Sequence, residues 1–170
     1  MKKKYIKKII KVYIPMAAFI FLNTGCGDGN KVPVSKPAIN LLAISKRLPE
    51  PAYGGVDGID NVILPKPGSV IEVNADKIRI AGHYVDAVKG DVAQGVIVMV
   101  DDKSYLTIYG GDRPDLALAL GNQKYLKSQF YIEIPANELT GGSHNLKVRV
   151  IANDGSGYYE SDLIGVLKKK

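Results

Sequence analysis

The chain has 170 residues, 46% of them apolar and 24% charged, with a formal net charge of +6 and a single cysteine. That length suits one domain with a sizeable core plus a terminal extension, and one thiol excludes an internal disulfide framework. The positive charge does not mark a nucleic-acid binder: six of the 23 Lys and Arg lie in the first stretch of the chain, which leaves 17 against 17 Asp and Glu in the remainder.

The opening MKKKYIKKIIKVYIPMAAFIFLNTGCGDGN sets Lys2, Lys3, Lys4, Lys7, Lys8 and Lys11 ahead of the apolar run Val12 to Leu22. A run of about eleven residues, rising about 1.5 Å each, falls short of a hydrocarbon layer about 30 Å thick. Residues 1–25 are therefore expected to be a signal peptide rather than a permanent span. Cys26 follows directly, preceded by Thr24 and Gly25. This position resembles the lipidation site of bacterial lipoproteins, in which a Cys behind small residues is acylated and becomes the new N-terminus. Asn23 stands where that motif usually carries Leu, and Leu22 lies one step further back. The resemblance implies fatty chains of the palmitate class on Cys26 and an extracytoplasmic protein anchored to the cell membrane by its N-terminal lipid. Each buried methylene of such a chain contributes about 0.8 kcal/mol, and two or three chains hold a protein stably. The alternative is an ordinary signal peptide, or an uncleaved anchor, with Cys26 incidental.

Residues 26–50 scatter Pro, Gly, Asn and Lys around one apolar cluster, Ile39 to Ile44. They are expected to form a flexible tether, with docking of the cluster on the domain as the other reading. Residues 51–170 are expected to form the domain.

From Tyr53 the pattern has period two. Ile78, Ile80, Gly82 and Tyr84 alternate with Lys77, Arg79 and His83, as in a half-buried strand. Val96 to Val100 is continuously apolar, the pattern of a central strand, and ends at Asp101-Asp102-Lys103 before Tyr105 to Tyr109 returns as a hairpin. Phe130, Ile132 and Ile134 alternate with Tyr131 and Glu133; Leu146, Val148 and Val150 alternate with Lys147 and Arg149. Asn153 to Gly157 then turns the chain into Tyr158 to Leu163, where at most one of Tyr158 and Tyr159 is expected in the core. The sole strong helix signal lies near residues 113–121: Pro114 suits the first helical position, Asp115 complements the positive end of the helix dipole, and Gly121 suits a left-handed cap. With strand signals near Val56 to Ile63 and Val70 to Val73, the expectation is an all-β sandwich of about 7 to 8 antiparallel strands with one short inserted helix.

Several of these stretches together resemble a known domain: Gly82 to Asp86 (GHYVD), VDDKSY, Arg113-Pro114-Asp115, then Gly121-Asn122, Tyr125, Ser128 and Phe130, then Gly142, His144, L-x-V-R-V, and the Asn-Asp-Gly turn with its Tyr pair. They are similar to an immunoglobulin-like β-sandwich of bacterial envelope proteins. It often occurs as an extracytoplasmic domain of membrane glycosyltransferases of surface-polysaccharide pathways. Relatives carry Trp after the glycine of the first stretch, where this chain has His83. The resemblance implies a binding or accessory role with envelope polysaccharide or a membrane protein as partner and brings no assigned catalytic residues; neither nucleic acid nor a cofactor is expected. A structural or assembly lipoprotein binding only proteins is the alternative.

The candidate ligand residues are Tyr109, Arg113, Asp115, Asn122 and Tyr125, with two rings to face a sugar and three polar groups to fix it. The competing reading is a structural corner, with Arg113 paired to an acid, Asp115 on free amides and Tyr125 packed inward. No G-x-S-x-G or H-E-x-x-H occurs, and the two histidines, His83 and His144, do not suggest a triad. A non-catalytic protein is expected. Asp57, Asp60, Asp101, Asp102 and Asp154 sit in turn-like contexts without EF-hand spacing, so no metal is expected.

Overall fold

A computed structural model describes residues 40–170. The leader, Cys26 and the tether as far as residue 39 lie outside the described residues. The chain forms an all-β sandwich of two sheets with one short α-helix. The strands are β1 (Arg47–Pro51), β2 (Tyr53–Ile59), β3 (Val62–Ile63), β4 (Ser69–Val73), β5 (Lys77–Asp86), β6 (Asp91–Val92) and β7 (Gly95–Val100). There follow β8 (Lys103–Leu106), β9 (Ile108–Gly111), α1 (Pro114–Ala119), β10 (Gln129–Pro135), β11 (Gly142–Ile151), β12 (Tyr158–Glu160) and β13 (Gly165–Lys169). The seven-stranded sheet holds β1, β4, β7, β8, β11, β12 and β13; the six-stranded sheet holds β2, β3, β5, β6, β9 and β10.

The alternation read from the sequence lays down the core. Ile78 and Ile80 of β5 pair across to Ile134 and Ile132 of β10, and Val96, Val98 and Val100 of β7 pair with Val150, Val148 and Leu146 of β11. These apolar faces meet in one buried cluster. Gly82 is required where β5 passes Phe130: a Cβ there would meet the Gly55 carbonyl and come within 2.7 Å of the Phe130 ring. Phe130 is wholly buried and lies 5.8 Å, centroid to centroid, from Tyr84. Truncating such a ring to Ala costs about 3–5 kcal/mol.

More strands are present than the about 7 to 8 expected, because short edge segments join the long ones, and two pairings are parallel, β1 with β12 and β13 with β4. The helix forms at the expected place. Pro114 opens it, and Gly121, at φ 63°, ends it with the Gly121 N–H donating to Leu118 O and the Asn122 N–H to Ala117 O, a Schellman closure.

The expected tether at 26–50 ends earlier than residue 50. Leu41–Ala43 makes a 3-10 turn, and Leu41 and Ile44 close over Ile97, Met99, Ile151 and Tyr158 on the outer face of the seven-stranded sheet. Leu48 packs on the main core, Tyr158 N–H donates to Lys46 O at 2.9 Å, and β1 runs alongside β12. The apolar side chains of this segment gain more by covering that face than by staying in water. Pro49 and Pro51 suit β1 to an edge. This strap, residues 41–51, also corrects the expectation for the tyrosine pair. Tyr159 enters the main core and Tyr158 the second cluster under the strap, so both are buried on opposite faces of β12.

Candidate functional site

The five predicted ligand residues lie around α1, and most of their polar atoms are used within the chain. Arg113 is the hub. Its Nε and Nη2 donate to Asp115 Oδ1 and Oδ2 at 2.9 and 2.8 Å, and its Nη1 donates to Asp57 Oδ2 at 2.6 Å. His83 Nδ1 lies 3.0 Å from the same Nη1 and 3.1 Å from Asp57 Oδ1. One nitrogen cannot accept from the guanidinium and donate to the carboxylate at once, so His83 has two mutually exclusive partners. Burial alone would raise the Asp57 carboxyl, but the His83 and Arg113 contacts outweigh it and hold the group below its ordinary value. The hydrogen bonds from Arg113 likewise lower Asp115.

The structure thus brings Arg113 and Asp115 together and adds Asp57 and His83, which sequence spacing did not link to them. Tyr109, Asn122 and Tyr125 are engaged elsewhere. Tyr109 Oη donates to Tyr84 O at 2.7 Å and accepts from Ala93 N–H at 3.1 Å, and burial pushes its phenol up. Asn122 Nδ2 donates to Gly90 O at 3.0 Å while its Oδ1 accepts from Lys124 N–H at 3.1 Å. Tyr125 is buried, with 8% of its surface exposed. This ring of residues stitches a corner together and presents no open pair of aromatic faces.

The other stretches that carried the family resemblance converge on a buried carboxylate. Asp86, fully buried at the end of β5, accepts from Lys89 N–H at 3.0 Å, from Tyr159 Oη at 3.0 Å and from Asn153 N–H at 2.8 Å. At the far side of the seven-stranded sheet, His144 Nδ1 sits 2.8 Å from Asp101 Oδ2, and Nε2 sits 3.0 Å from Thr140 O. Both ring nitrogens face acceptors, which favours the imidazolium and raises the His144 pKa. Asp101, at φ 51°, also accepts from Asn145 N–H at 2.8 Å, locking the β7–β8 turn to β11. Among the described residues, no group of three or more His, Cys, Asp or Glu is placed to hold a metal ion.

An open polar groove of about 450 Å³ runs along the outer face of the seven-stranded sheet, beside the area that the strap roofs. Its floor includes Asn145, Lys147 and Arg149, alternate residues of β11, with Glu160 of β12 at one end and Asp101 and Asp102 at the other. Glu160 Oε1 lies 3.3 Å from Arg47 Nη1 and 3.5 Å from Lys147 Nζ, and Oε2 lies 3.5 Å from Arg149 Nε. That last contact is an ion pair and not a hydrogen bond, and Arg149 Nε, shielded from water, makes no hydrogen bond among the described residues. The guanidinium rests 4.6 Å above the Tyr158 ring. Sequence reading placed Lys147 and Arg149 on an outward face. What it could not supply was the strap, which brings Arg47 against Glu160.

No family model and no curated protein matches the chain. Among solved structures, the endo-beta-1,4-mannanase from Thermotoga petrophila is similar at a TM-score of 0.43 and 10% identity, over 71% of this chain and 20% of that one. The chain thus spans about a fifth of that protein's length. The likeness is too slight to bear on fold or activity.

Proposed function

We propose that the chain is an extracytoplasmic lipoprotein, anchored through Cys26, whose immunoglobulin-like sandwich is a non-catalytic binding or accessory module of the cell envelope, contacting glycan or a membrane-bound glycan enzyme. The leader supports the anchor. The observation that carries the binding role is the groove on the outer sheet face, where Lys147 and Arg149 lie in line with Asn145 and Asp102, two exposed side chains that make no hydrogen bond among the described residues. By contrast, the polar groups around Arg113 serve their own corner, which moves the binding surface from the predicted residues to this groove.

Membrane pull-down of the full lipidated chain after cross-linking in intact cells tests the role. Recovery of envelope glycan or one membrane protein supports it, and recovery of neither overturns it. Intact mass tests the anchor, since an unmodified Cys26 in the membrane fraction would refute acylation.

A protein-only assembly role is the second reading. It is favoured by consecutive exposed aliphatics at the β2–β3 hairpin: Val62, Ile63 and Leu64 are 37%, 62% and 69% exposed, with Leu64 at φ 49°.

A further inference from the structure

We propose that the outer-face groove binds an acidic sugar chain, with a ligand carboxylate seated between Arg47, Lys147 and Arg149. The inference rests on the accessory-module reading and names the ligand class for its site.

Three cations surround a single carboxylate, Glu160, whose side chain is only 11% exposed, and the contacts span 3.3 to 3.5 Å. Charge-assisted pairs that satisfy each other close to about 2.7–2.9 Å. Glu160 is therefore shared and stretched, and this end of the groove has two positive charges in excess. The Arg149 side chain is 32% exposed, so its guanidinium can meet a ligand from the groove although Nε itself is shielded. Its guanidinium is already held flat by Tyr158, so little order is lost when a planar carboxylate docks against it.

The opposite end asks for a different group. Asn145 and Asp102 are exposed, and their side chains make no hydrogen bond among the described residues, so they offer acceptors for hydroxyl donors. From Asn145 to Arg149 the β11 floor extends roughly 13 Å, the scale of a short oligomer rather than a single small anion. Every strand that forms the floor is paired on both sides: β7 by β8 and β11, β11 by β7 and β12, β12 by β11 and β1. A peptide therefore finds no edge there to extend by backbone hydrogen bonds. What remains is a chain read by side chains alone, with a carboxylate at the cationic end and hydroxyls at the other, which is the chemistry of a sugar chain that contains uronic acid.

The test is affinity electrophoresis of the full lipidated chain in detergent, through gels containing polygalacturonate, neutral dextran or poly-glutamate. The expected result is retardation by polygalacturonate that exceeds that by poly-glutamate and is absent with dextran. Arg149→Gln should weaken it by about tenfold or more, and Lys147→Gln by about threefold or more. Lys147 is 44% exposed at its side chain, so its variant keeps the fold should that of Arg149 not. No retardation by polygalacturonate, retardation unchanged in Lys147→Gln, or equal retardation by poly-glutamate would overturn the proposal, the last by assigning the groove to acidic peptide or to bare charge. None of these results touches the cross-linking outcome, on which the accessory role stands or falls separately.

Discussion

Tyr159 Oη donates to Asp86 Oδ1 at 3.0 Å, and through this bond a wholly buried carboxylate at the end of one sheet is fastened to an inner strand of the other. Asn153 N–H, on the turn before β12, donates to the second oxygen of the same group. Asp86→Ala removes the acceptor for three donors at once, and a hydrogen bond to a charged group is worth about 1.5–3 kcal/mol. The expected loss is about 3 kcal/mol, because three bonds go at once and the Tyr159 hydroxyl is left buried without its acceptor. Tyr159→Phe should cost about half as much. Urea unfolding midpoints check both.

The His144–Asp101 pair makes stability depend on pH. Asp101 raises the folded pKa of His144 above the ordinary 6.5. The contribution is therefore complete below the unfolded value and fades as pH rises through the folded one. Asp101 is lowered from 3.8 chiefly by the same bond, so its share is present above that value and fades as pH falls through the folded pKa. The chain should be more resistant to urea at about pH 5.5 than at about pH 9, and His144→Gln should flatten that difference. An unchanged slope in the variant would remove the pair as its cause.

At the corner, Arg113→Lys should behave nearly as badly as Arg113→Met. Lysine offers one compact cation where Arg113 presents a fork to Asp115 and a further donor to Asp57. Each variant is expected to cost about 1–3 kcal/mol, read as a shift in the unfolding midpoint. Full recovery by lysine would show that charge alone holds the corner.

The strap depends on Gly157. A Cβ at that position would lie 2.6 Å from the backbone oxygen of Lys46 and 2.9 Å from Leu48. Gly157→Ala must push the strap outward, at about 1–3 kcal/mol. Trypsin should then cut after Lys46 or Arg47 faster than in the parent chain while the sandwich survives. Gly95→Ala should be milder, because there the added atom meets only the flexible end of Leu41 at 2.5 Å.

Much of the sandwich was readable because its long strands obey strict alternation: Ile78 and Ile80 face inward while Lys77 and Arg79 stay wet. Val96 to Val100 read as a central strand from its unbroken apolarity, and the structure supplies the physical reason. One side faces the main core, and Ile97 and Met99 on the other lie under the strap. The helix was legible from Pro114 and Gly121, since both act locally. The strap was legible only as the second of two readings, docking of the Ile39–Ile44 cluster, because its few apolar residues sit among Pro, Lys and Ser with no period to name a partner far along the chain. The link from Arg113 to Asp57 spans 56 positions, and nothing in the intervening residues announces it. The groove was hidden for the same reason: Lys147 and Arg149 read as solvated outward charges until Arg47 and Glu160 arrive from distant segments.

What resembles a leash in the sequence also serves as a roof. A version trimmed to begin at residue 51 keeps every long strand, yet strips the shelter from Ile97, Met99, Ile151 and Tyr158. Such a fragment would keep its shape and lose its solubility, clumping through a bare greasy wall that the intact molecule never shows.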